Sequence, residues 1–475
     1  DGNAEDEIDV TIGSGTSSIT TFSGHANVTT NLTVTGTVLN LPTANSFITG
    51  AGHNVVQVDS TRTYFYGGTD GVQIRTADNA SALIEITNAG ILKTNTAGTS
   101  NLRLGANAGN SIVSGGNQNT VVGDEAGTAI TTGIENVLIG HLTGDALTDA
   151  DFNVAVGRAA LSTDRKGSKS TAIGQGALNI QDFENPTDTF NTAVGFFAGL
   201  GVTTGIRNTL IGALAGDALS TSLDNVAVGS HALSTETTGK FNTAIGQGSL
   251  FTQNAGSNVE VYNTAVGYNS GNLVTTGIRN TLIGGEAGDA LTTGADNVAV
   301  GALALSADRF GAKSVAIGRG ALKVQNYGSA ADSNNTAVGY SAGEAISTGI
   351  NNTILGSLAG TKATSTDDCV IIGFAAAGGA VLTGHDNVVI GRDAGHDLTS
   401  GTGNTFIGRE AGDKTDDGAN NVAVGFGSLG GNCGNNNVAV GEGAAISATG
   451  GTNTVVGSNA CGGSFTASGT TAMGR

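Results

Sequence analysis

The chain has 475 residues, of which 78 are Gly and only 2 are Pro; Trp is absent and aromatic residues make up 4%. A formal charge of −19 argues against nucleic acid and anionic lipid as partners, since both are held by clustered Lys and Arg. So few large side chains exclude a thick globular core; the apolar residues, mostly Ala, Val, Ile and Leu, suit a thin one between two close walls.

Residues 1–45 read as an N-terminal shaft or attachment segment. The acidic start, Asp1 to Asp9, is expected to be loose. Leu32-Thr-Val-Thr-Gly36 then alternates as a strand does. Residues 46–100 read as a short β-rich region, with strands predicted at Val72–Arg75 and Leu83–Ile86 and dense aromatics at Thr63-Tyr-Phe-Tyr-Gly67.

From residue 101 to 475 one pentad recurs, Asn-Thr/Val-x-Val/Ile-Gly. Examples are Asn119–Gly123, Asn136–Gly140, Asn153–Gly157 and Asn191–Gly195. There are 21 starts from Asn119 to Thr470, with a plausible earlier copy at Asn101–Gly105. Most spacings are 17 residues. The set 17, 17, 17, 21 occurs three times from Asn119, so Asn119, Asn191 and Asn263 begin a super-repeat of 72 residues. A 17-residue unit is too short for a helical hairpin. It suits two short strands and two turns, one coil of a solenoid stabilised by its neighbours. The predicted fold is therefore all-β, a parallel β-roll or β-solenoid of about 21 coils. At ~4.8 Å per coil, twenty steps span about 100 Å.

The pentad assigns roles to its positions, numbered here from the Asn. Asn at position 1 should stack into a hydrogen-bonded ladder. Gly at position 5 marks a sharp turn. Position 4 is the most apolar: Val and Ile alternate there through thirteen coils, from Val122 and Ile139 to Ile317 and Val338. That row is expected to be a continuous buried seam. Position 3, mostly Ala, would let a second layer approach.

The 21-residue coils add four residues within 175–190, 247–262 and 319–334, and these segments carry Phe183, Phe190, Phe251, Tyr262 and Tyr327. Insertions in a solenoid project from one face, often the binding face. Exposed aromatics there would stack on sugar rings of a host glycan; alternatively, they cover the coil's apolar edge or pack between chains. Asp145, Asp217 and Asp289 recur in Gly-Asp-Ala-Leu at four-coil intervals, ~19 Å apart along the stack. One chain's copies cannot share an ion, but the same Asp from three chains about an axis could hold calcium; solvated turn acids are the simpler reading, and no cofactor is required. None of the six His has metal-ligand spacing, and Cys369, Cys433 and Cys461 form no CxxC, so neither a zinc site nor a disulfide framework is expected. No nucleophile, base and oxyanion donors converge, so the chain is expected not to be an enzyme. No apolar run reaches membrane-spanning length, so no membrane insertion is expected.

Asn-Thr-Ala-Val-Gly and Ser-Val-Ala-Ile-Gly resemble the head repeats of YadA-type trimeric autotransporter adhesins, and the same text resembles repeats of bacteriophage tail fibres, over about residues 101–475. The resemblance implies a β-roll assembled as a homotrimer, intertwined or side by side. The 17-residue coil departs from the adhesin pattern, as does the lack of a coiled-coil stalk and translocator barrel. Asn31-Leu-Thr-Val-Thr-Gly-Thr-Val38 looks like a phage fibre shaft. The implied function is that of a virion tail fibre in host-cell attachment, with other tail proteins and a host surface glycan or protein as partners. The alternative is a bacterial surface adhesin or extracellular filament subunit.

Overall fold

The computed structural model describes residues 46–50, 53–58, 63–65, 72–75, 82–86, 92–94, 98–256, 259–463 and 466–475. The chain divides into two units, Asp1–Leu92 and Lys93–Arg475. In the first, Ser46–Gly50, His53–Val58 and Thr63–Phe65 form an antiparallel meander, and Val72–Arg75 pairs antiparallel with Ala82–Ile86. The strand expected at Leu32–Gly36 lies outside the described residues.

The second unit is a β-solenoid. Twenty-two three-residue strands, from Leu102–Leu104 to Thr471–Met473, form one parallel ladder, and no helix occurs among the described residues. Each strand holds positions 2 to 4 of a pentad, and each pairs with its neighbours position for position. Thr209 lies opposite Val226, Leu210 opposite Ala227 and Ile211 opposite Val228. The far wall, positions 9 to 13, carries a second set of inter-coil bonds. Gly127, Ala129 and Thr131 donate their N–H groups to the carbonyls of Thr143, Asp145 and Thr148 at 2.9, 2.9 and 2.8 Å.

The Val and Ile row does not line the inside of the coil, which corrects the expected buried seam. Position 3 is buried in every coil of this run; position 4 points outward. Its Ile residues, such as Ile139, Ile211 and Ile283, are 37–39% exposed, and the Val residues between them are half-buried. Strand side chains alternate, so assigning the wrong parity turns the whole set to the other face. The interior selects for size. Where position 3 is Leu, position 9 is Gly: a Cβ on Gly144 would lie 2.9 Å from Leu138 Cδ2, and one on Gly216 2.7 Å from Leu210 Cδ2. Where position 3 is Ala, as at Ala155, Ala172 and Ala227, position 9 can be Leu: Leu161, Leu178 and Leu233, all fully buried. This exchange of large and small across a close-packed gap helps produce the 72-residue period.

The Asn ladder forms as expected. Oδ1 of Asn191 accepts from the backbone N–H of Asn208 at 2.9 Å and from its Nδ2 at 3.3 Å, and that Nδ2 also donates to the carbonyl of Ser222 at 3.0 Å. Most of these buried amides thus stitch their own coil to the one before, leaving few polar atoms unsatisfied in a thin core.

Candidate functional site

The insertions are built over a buried polar cluster. In two consecutive coils of each super-repeat, position 12 exchanges its apolar residue for a carboxylate and then an amide. In the first copy, Asp164 Oδ2 accepts from Gln181 Nε2 at 2.6 Å, and its Oδ1 accepts the N–H of Gly167 at 2.8 Å. Gln181 Nε2 also reaches Ser170 Oγ at 2.9 Å, and Gln181 Oε1 accepts from Asn191 Nδ2 at 2.8 Å. The third copy repeats this with Asp308, Gln325, Ser314 and Asn335. Burial holds the carboxyls of Asp164 and Asp308 above the usual range, while hydrogen bonds from the glutamines and backbone pull the other way. The second copy uses the longer Glu236, which accepts the N–H groups of Thr237, Thr238 and Gly239 directly.

This cluster sorts the five aromatic candidates. Phe183 and Tyr327 are buried, 7% exposed each. Phe183 gives its N–H to Asp164, and Tyr327 donates its hydroxyl to the carbonyl of Gly349 at 2.6 Å. They roof the wide coil and present no ring to solvent. Phe251 is half-buried, its ring 6.0 Å from His231. Phe190 and Tyr262 are exposed. Each ends its coil in a left-handed conformation, φ 51° and 55°, at the edge of the outer strand wall. Phe190 lies 5.2 Å from Lys169 Nζ; Tyr262 stacks on Phe241 at 5.0 Å and donates its hydroxyl to Glu260. The structure therefore does not bring the five together.

The exposed aromatics that do form a row sit at position 6, directly after the pentad Gly: Phe196, Tyr268, Tyr340, Phe374 and Phe426, all 45–54% exposed. Their fixed offset from the pentad Gly is a signal legible in the sequence. The outward stripe at positions 2 and 4 lies between this edge and the edge carrying Phe190 and Tyr262.

Asp145, Asp217 and Asp289 lie at position 10, on the wall opposite the stripe. Asp217 Oδ1 accepts from Ser234 Oγ; Oδ1 of Asp145 and of Asp289 are buried without a hydrogen-bond partner. Among the described residues no group of three or more His, Cys, Asp or Glu could hold a metal ion, and no helix is long and apolar enough to cross a membrane. Comparison with protein-family models, curated proteins and solved structures returns no match for this chain.

Proposed function

We propose that the chain is a structural fibre subunit of a virion, a tail fibre that assembles as a homotrimer and serves host-cell attachment. The observation that supports this reading is the uncharged outward stripe, mostly Val and Ile at position 4 beside Thr or Val at position 2. It follows an unbroken ladder of 22 strands. Along ~100 Å of rod, with ~7 Å between positions 2 and 4, it covers roughly 700 Å². Monomers seldom leave more than a few hundred Å² of apolar surface in one patch, and about 800 Å² per partner is ordinary for a stable interface. A partner that meets every coil must share the coil spacing, and a second copy lying parallel does so. Three chains would then close around the stripe. In that arrangement Asp145, Asp217 and Asp289 face away from the axis and do not meet, so calcium has no part in the proposal.

The test is sedimentation and electron microscopy of the purified chain. Wild type should be a rod of trimer mass. Ile211→Asp with Ile245→Asp should yield monomers whose circular dichroism is unchanged, because both side chains point outward. A monomeric wild type, or a variant that assembles normally, would overturn the reading.

A further inference from the structure

The 20 Lys and Arg are sparse in a chain of 475 residues with 39 acids. Two of them nevertheless occupy position 6 in consecutive coils, Arg392 and Arg409, and the coils on either side place Phe374 and Phe426 there. Backbone bonds zip the four together. Asp393 N–H donates to the carbonyl of Phe374 at 3.0 Å, Glu410 N–H to that of Arg392 at 2.9 Å, and Gly427 N–H to that of Arg409 at 3.0 Å. The order along the edge is Phe, Arg, Arg, Phe at ~4.8 Å per step.

Each guanidinium is held in place from two sides. Arg392 lies 6.0 Å from the Phe374 ring centroid and donates through Nε to Asp393 at 3.0 Å. Arg409 lies 5.4 Å from the Phe426 ring and binds Glu410 through Nε and Nη2 at 3.0 and 2.8 Å. Both side chains stay more than half exposed, at 60% and 55%. Among the described residues, neither Nη group of Arg392 nor Nη1 of Arg409 makes a hydrogen bond. Each carboxylate engages one side of its guanidinium, and the N–H groups left over on adjacent rungs are close enough for one anion to accept from both. Because ring and carboxylate already fix each fork, little side-chain freedom remains to be lost on binding.

We propose that Phe374, Arg392, Arg409 and Phe426 form a binding site for an acidic polysaccharide. The two guanidiniums clamp its carboxylate or phosphate groups, and the ring edges at either end touch its sugar rings. This deepens the attachment function proposed above and rests on it.

The test uses the assembled full chain against polygalacturonate, poly(glycerol phosphate) and neutral dextran, measured by surface plasmon resonance. Binding to at least one anionic polymer, weakening as salt rises, is expected, with none to dextran; which polymer binds tells carboxylate from phosphate. Arg392→Ala with Arg409→Ala should weaken that binding at least tenfold without changing the sedimenting mass. Arg392→Lys with Arg409→Lys should fall between, since charge survives and the fork does not. No binding by wild type, equal binding by the double Ala variant, or equal binding of dextran would remove the site while a trimeric rod still stood. A double Ala variant that dissociates would make the pair an assembly contact and likewise overturn the proposal.

Discussion

At Gly212 the backbone takes φ +135°, and a Cβ there would lie 2.6 Å from the carbonyl carbon and oxygen of Gly229 in the next coil. Both the dihedral and the stacking demand Gly, so Gly212→Ala should cost about 2 kcal/mol or more and lower the thermal midpoint. Asp289 fails differently. Its Oδ1 is buried without a partner, and burial, aided by the charge of Glu286, pushes its carboxyl up to about 6 from 3.8. The folded chain therefore holds this proton more tightly than the unfolded chain does. The contribution is fully present below about 4, is lost as pH rises towards about 6, and is then constant. Denaturation between pH 4 and pH 7 should show this fall, and Asp289→Asn should flatten that part of the profile. An unaltered profile would mean that another group titrates there.

The coil is the element on which sequence and structure agree most. Its length, the Asn ladder and the Gly corner were legible because each recurs in phase. Which face is inside was not, since positions 3 and 4 are both apolar and the answer depends on how closely the walls approach. Ala155 and Ala172 fill the gap that Val156 and Ile173 would overfill. Similarly, Phe183 and Phe190 look equivalent in sequence, and only the closure of the loop over Asp164 separates the buried ring from the exposed one. The wide coil also explains two exceptions in the ladder. Four extra residues displace the carbonyl that Nδ2 of a position-1 Asn would reach, and there the sequence has Ser170 and Ser314. The second wide coil keeps Asn242, whose buried Nδ2 has no partner. An unmet buried donor costs about 1–3 kcal/mol. Asn242→Ser with Val261→Thr, which copies the Ser170 and Thr189 hydroxyl pair, should therefore raise the denaturation midpoint.

At the scale of the whole rod, long-range order comes from neighbour contacts alone, each coil docking on the next. The charge that keeps such rods apart in solution is spread over their edges and far wall, while the outward stripe is free of it, so assembly should depend only weakly on salt. The amide row, though, does not run unbroken. After each wide coil, Nδ2 of Asn191, Asn263 and Asn335 leaves the position-1 residue of the preceding coil and donates instead to that coil's position-12 amide, Gln181, Gln253 and Gln325, at 2.8, 2.6 and 2.9 Å. These detours act as expansion joints in a beam, places where a tear should stop. Pulled from its ends in an optical trap, a single chain should therefore give way in blocks of four coils, and each rip should release 72 residues, lengthening the tether by roughly 230 Å at ~3.5 Å per residue.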